Sequence, residues 1–227
     1  MKLFKETRKL TEIEQKFLED IKDDAEFEPI SVLKWGQIMA TILLNTVKAV
    51  EKKFGRKGQR ICKNVSFNYG VQLGQESSKF LKPLLPEKID ESNQVETWLN
   101  ILSWMNRNIY ASPDSVKLIN KDEGYFDIIW CPHQDIYSAR DCRIQRWVVS
   151  GFMTGVISSL HDILQERYSG ADFSNFLNMN VEVTELIPKG AKTCHFRVWK
   201  RKKGEDQVWE KYSKHLEDRE MKDLEKK

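Results

Sequence analysis

The stretch Tyr125-Phe126-Asp127-Ile128-Ile129-Trp130-Cys131-Pro132-His133 is where the pattern of this chain changes. It is crowded with aromatic and β-branched residues, as strands favour. Val116-Lys117-Leu118-Ile119 precedes it across a tight turn at Lys121-Asp122-Glu123-Gly124, so a hairpin is expected. From Asp141 to Tyr168 the period becomes helical, with Ile144, Trp147, Val148, Phe152, Val156, Leu160 and Leu164 at helical spacing and Gly170 as a stop. Strand character then returns. Val181 to Leu186 and Lys192 to Arg201, joined by Pro188-Lys189-Gly190, make a second strand pair.

Outward from that stretch the chain reads as helix. Thr11-Glu12-Ile13-Glu14 has the form of a capping box and opens a helix with Ile13, Phe17, Leu18 and Ile21 on one face. Ser31 caps a second helix, whose apolar positions (Val32, Leu33, Trp35, Ile38, Ile42, Leu43, Val47, Val50, Phe54) wrap widely enough to predict a central, largely buried element closed by Gly55. A third runs through Cys62, Phe67, Tyr69 and Phe80 to Pro83 and Pro86. A fourth starts at the capping box Asn93-Gln94-Val95-Glu96 and carries Trp98, Leu99, Leu102, Trp104 and Met105. The tail from Glu205 is a charged helix with a thin seam at Val208, Trp209, Tyr212 and Leu216. The expected fold is therefore α+β in one domain. A helical half, 1–107, packs with a β-β-α-β-β antiparallel sheet and one long covering helix, 108–203, followed by a charged C-terminal helix, 204–227.

The totals exclude several classes. Of 227 residues, 40% are hydrophobic, which reads as globular. Lys+Arg 37 against Asp+Glu 34 gives only +3, too balanced for a nucleic-acid footprint. The N-terminus has no signal core, and the longest apolar run, Ile38 to Leu44, is far short of the roughly 18 residues of a membrane span. Four cysteines without tight pairing read as reduced thiols. The expectation is a cytoplasmic protein with a small-molecule ligand or substrate and no nucleic-acid or membrane partner.

Strand alternation sorts the candidate side chains. Cys194, Phe196 and Val198 share a core face, while Thr193, His195 and Arg197 point away, which separates Cys194 from His195. Phe126, Ile128 and Trp130 read as core, and Cys131 falls on the other face with Tyr125, Asp127 and Ile129. Pro132 stops ladder pairing, so Cys131 and His133 sit where a strand opens into a loop, a common place for functional side chains. They are the catalytic candidates. Cys131, His133, Cys142 and Cys194 also offer the ligand types of a zinc site, without the C-x-x-C or H-x-x-x-H spacing of known ones. Gly151-x-x-x-Gly155 predicts close packing on the sheet. Lys200-Arg201-Lys202-Lys203 reads as a solvated strand end, and His161 and His215 as structural or solvated. Trp35, Trp98, Trp104 and Trp147 read as core.

The order Cys131-Pro132, Cys142, Asn178-Met179-Asn180, then Gly190 with Cys194-His195-Phe196-Arg197, resembles the C-terminal half of the L-2-amino-thiazoline-4-carboxylic acid hydrolase family. Cys142 ahead of Gly151-Phe152-x-x-Gly155, with the same hairpin, is similar to the vinyl-reductase-type small-molecule-binding domains of the haem nitric-oxide-binding fold. The first resemblance implies hydrolysis of a small cyclic amidine or thiazoline-type carboxylic acid. Cys131 would be the thiolate nucleophile and His133 its base, or Cys131, Cys142 and Cys194 would hold a metal that activates water. Arg140, Arg143 or Arg197 would hold the substrate carboxylate. The second implies a non-catalytic sensor or carrier with an apolar pocket between helices and sheet. A homodimer formed through Trp98, Trp104 and Met105 is a third expectation.

Overall fold

The computed structural model describes residues 29–167 and 178–225, the side chains of 29–35 and 162–167 excepted. The helix expected from Thr11 and the stop at Gly170 lie outside these residues. Helix α1 spans Pro29–Leu81, α2 Gln94–Asn108 and α3 Cys142–Arg167, with α4 at Val208–Leu224. Strands β1 (Asp114–Asn120), β2 (Glu123–Ile128), β3 (Met179–Glu185) and β4 (Cys194–Lys200) form an antiparallel sheet in the order β1-β2-β4-β3. The fold is α+β, as the sequence implies.

Helix α1 is not one rod. Gly55 leaves helical geometry at φ 55, ψ −138, a backbone region that glycine enters without penalty. In a straight helix, residues eight apart lie about 12 Å apart along the axis. Here a Cβ on Gly58 would sit 2.5 Å from Val50 O, and Gln59 Nε2 donates to Glu51 Oε1 at 3.3 Å. Cys62 packs against the buried cluster that holds Ala40, Leu44 and Val47. The chain therefore folds back at Gly55 into a hairpin of two helical arms. The expected C-cap is a turn.

The first arm also departs from the expected burial. Ala40, Leu44 and Val47 are buried, but Ile38, Met39, Ile42, Leu43 and Phe54 are exposed. Its wide apolar wrap covers two faces, and the partners found in the structure cover one.

Helix α3 runs against α1 with unusual closeness. A Cβ on Gly151 would lie 2.0 Å from Phe67 O, and one on Gly155 2.0 Å from Val71 O. From the α1 side, Gly70 and Gly74 meet Val148 O and Phe152 O, each at 2.2 Å. Four glycines at four-residue spacing thus let two backbones touch. The glycine pair of α3 packs on α1 and not, as expected, on the sheet.

The sheet is held by its register and its neighbours. Phe126 pairs with Phe196 between β2 and β4, their rings stacked at 4.6 Å, and Val198 pairs with Val181. Helix α2 buries Val95, Trp98, Leu99, Leu102 and Met105 in the main core. Trp98 and Met105 are thereby not free to build a dimer interface, and Trp104 is half-buried, stacked on Phe80. Asn93 does not close the expected capping box. Its side chain makes no cap bond, accepting instead from Asp90 N and donating to Lys88 O. Asp114, buried at the start of β1, accepts from Ser103 and Asn106 and pairs with Arg107, which ties α2 to the strand.

Helix α4 is bound more firmly than a thin seam suggests. Leu216 and Met221 are buried. The buried Asn180 accepts from Val208 N at 2.9 Å and donates to Asp206 O at 2.9 Å, fixing the helix start to β3. Arg201 Nε donates to Asn178 Oδ1, so Arg201 is tied down and not simply solvated. No helix among the described residues is long and apolar enough to cross a membrane.

Candidate functional site

Between α3 and the inner face of the sheet the side chains do not close, leaving a cavity of about 400 Å³. Val149, Met153 and Ile157 line it from α3, and Phe126, Val181 and Phe196 from the sheet. The end of α2 and one side of α4 complete the wall. This volume lies within the range of small-molecule sites, which are mostly apolar with a few placed polar groups.

Three thiols converge on the cavity: Cys131, Cys142 and Cys194. The expectation that Cys131 faces away from Phe126 and Ile128 is corrected. Strand β2 ends at Ile128, so alternation no longer governs Cys131, and the chain carries it into the same space. Cys131 Sγ lies 3.4 Å from His133 Nδ1, which is also in contact with Gln145 Nε2. Cys142 donates to Ser138 O at 3.7 Å, and Cys194 accepts from Ile187 N at 3.2 Å.

Electrostatics set the state of these groups. Burial raises the Cys131 thiol above its ordinary value and pushes Cys142 to about 12 and Cys194 to about 11. Burial also lowers His133 to about 4. At neutral pH the pair is a thiol beside a neutral imidazole, because the low-dielectric surroundings disfavour both charged forms. Among the described residues no three His, Cys, Asp or Glu side chains are grouped to hold a metal ion, so Cys131, Cys142 and Cys194 do not fit the zinc site their types suggested.

The arginines expected to hold a carboxylate are placed elsewhere. Arg140 pairs with Asp223 and Glu220 of α4. Arg143 is fully buried, bound to Glu51 and, at 3.3 Å, to Asp141. Arg197 lies on the outer sheet face, with Nε 2.7 Å from Glu123 Oε1. His195 is on that face too, with Nδ1 2.7 Å from Asp127 Oδ1, apart from Cys194 as alternation requires.

The arginine that does line the cavity is Arg146. It is buried, donates from Nε to Ser213 Oγ at 2.7 Å and from an Nη to Trp209 O at 2.6 Å, and lies 3.5 Å over the Trp209 ring. No carboxylate pairs with it among the described residues, and burial lowers it to about 9. The signal was present in the sequence. Cys142, Arg146, Val149, Met153 and Ile157 recur at helical spacing, while Arg143 falls on another face.

The site and fold define an α+β chain with a buried, thiol-lined apolar cavity. No family model matches the chain. It is 33% identical over 196 residues to an uncharacterized protein of Archaeoglobus fulgidus, spanning 85% of this chain and 80% of that one, and it belongs to the same family as that protein. Among solved structures, a trafficking protein particle complex subunit 3 from Naegleria fowleri, covalently bound to palmitic acid, aligns with 73% of this chain and 96% of its own, at 13% identity. The TM-score of that alignment is 0.38, too low to carry an assignment.

Proposed function

We propose that this chain is a non-catalytic carrier or sensor that takes up a small, largely apolar acid in the cavity beneath α3. The observation that carries this reading is Arg146, a buried cation at an apolar cavity with no carboxylate partner among the described residues. A buried charge is expensive unless paired, and an acidic ligand head would supply the missing partner while its body met Val149, Met153 and Phe126. Four free thiols support a reducing compartment such as the cytoplasm.

A second reading, hydrolysis of a cyclic amidine or thiazoline-type acid, is favoured by the 3.4 Å contact between Cys131 and His133. The substrate carboxylate would then meet Arg146. The raised thiol and lowered imidazole oppose it, because neither group is poised as thiolate or imidazolium.

The two are separated by one pair of experiments. Displacement of a fluorescent fatty acid should show binding in the wild type, at least tenfold weaker binding in Arg146→Met, and a preference for acids over alcohols of equal chain length that the variant lacks. Iodoacetamide labelling near neutral pH should find no fast thiol. A rapid thiol mapping to Cys131, with acids and alcohols bound alike, would sink the carrier reading and restore the nucleophile.

A further inference from the structure

We propose that the tip of the α1 hairpin is a docking surface for an anionic lipid bilayer. The nine residues Lys52-Lys53-Phe54-Gly55-Arg56-Lys57-Gly58-Gln59-Arg60 hold five cations and no acid. Arg56 is bound to Asp218 of α4, and nearby Lys48 and Lys63 to Asp141 and Glu217. Lys52, Lys53, Lys57 and Arg60 make no ion pair among the described residues, and all four are exposed. Lys53 Nζ lies 5.4 Å over the Phe54 ring. The overall charge of +3 averages this local excess away, and the absence of an apolar run long enough to span a membrane does not bear on binding at its surface.

Apolar side chains are set among these cations. Phe54 is 53% exposed, Ile61 49% and Val65 64%. Lys57, Ile61 and Val65 follow at four-residue spacing and share one face, with Arg60 and Asn64 beside them. Single exposed hydrophobes are ordinary, but a strip of them ringed by unpaired cations at an exposed helical turn is the composition of an interfacial anchor. Nucleic acid also attracts cations, yet it rewards aromatic stacking platforms in a groove. Ile61 and Val65 have no stacking face, and the turn presents an apex. They do gain from the boundary between headgroups and acyl chains.

The test is vesicle flotation of the whole chain. Phosphatidylcholine vesicles with about 30% phosphatidylserine should carry the protein up, and pure phosphatidylcholine vesicles should not. Each cation near an anionic surface contributes about fivefold, so Lys52→Gln, Lys53→Gln and Lys57→Gln together should weaken binding about a hundredfold. Phe54→Ser should weaken it about tenfold. These side chains are exposed, and an unchanged thermal midpoint will confirm folding. No binding to the anionic vesicles, equal binding to neutral ones, unchanged binding by the triple variant, or preferential capture by duplex DNA in competition would each overturn the proposal.

Discussion

Replacing Gly151 by Ala tests the close crossing of α1 and α3 by the sign of its effect. In an open helix, Gly→Ala stabilises by about 1 kcal/mol, because alanine loses less backbone freedom. At Gly151 the new Cβ would sit 2.0 Å from Phe67 O and 2.9 Å from Phe67 C, where real Cβ atoms essentially never come under 3.0 Å. The helices must then separate by about 1 Å, and since the obstacle is backbone, no rotamer change relieves it. Overpacking of this kind costs about 1–3 kcal/mol, and an immovable neighbour puts it at the upper end. Against the helical gain, the net loss is about 2 kcal/mol. Gly36 is the control, being helical with nothing among the described residues within 4 Å of its Cβ position. In urea unfolding followed by circular dichroism, Gly151→Ala should lower the midpoint by about 1 M and Gly36→Ala should raise it by about half that. If Gly151→Ala raised the midpoint as Gly36→Ala does, the backbone contact would be wrong.

Two further outcomes concern buried charge. His133 is held neutral in the fold with a value near 4, against 6.5 for an ordinary imidazole. A depressed folded value contributes stability that is whole above 6.5 and is lost as pH falls toward 4, by about 1.4 kcal/mol per unit. Urea titrations between neutral pH and the onset of acid unfolding should show this slope in the wild type and a flatter one in His133→Gln; identical slopes would remove His133 from the account. Arg143→Met should cost about 3–5 kcal/mol at neutral pH, since it strands the buried Glu51. Burial already raises Glu51 above the usual carboxylate range, so its folded state is favoured at low pH and penalised as pH rises through that value. The variant should recover part of its loss on acidification, and an equal loss at both pH values would contradict the buried pair.

The strands were legible because alternation and turn residues act locally: Val181 and Val198 fell on the inner face, and Asp127 and His195 on the outer. Part of the candidate cavity's lining was legible too, since Cys131, Cys142 and Cys194, all in the stretch where the pattern changes, come to one cavity. What failed was phase and partner. Arg143 and Arg146 both follow Cys142 within about one turn, and only the helical phase shared with Cys142 and Val149 sets Arg146 apart. Gly55 carries the same local signal whether it ends a helix or bends one back. The partner of Gly151-x-x-x-Gly155 was chosen as the sheet because the matching Gly70 and Gly74 lie some eighty positions earlier, beyond any local pattern.

That crossing also bears on the cavity. On α3, Gly151 and Gly155 face α1, while Val149, Met153 and Ile157 point the other way into the cavity. The helix is thus a rigid wall whose position is fixed by backbone contact behind it. An alanine at 151 that drives α3 off α1 by about 1 Å can relieve the clash only by moving it toward the open side, where about 400 Å³ is unfilled. Gly151→Ala should then weaken ligand binding even under conditions where the variant remains folded, whereas a destabilising change at a buried residue that does not line the cavity, such as Ile89→Ala, should not. Displacement titrations on both variants, well below their unfolding midpoints, separate these outcomes. Unchanged affinity in Gly151→Ala would mean that α1 yields instead of α3, and that the cavity is set by the sheet.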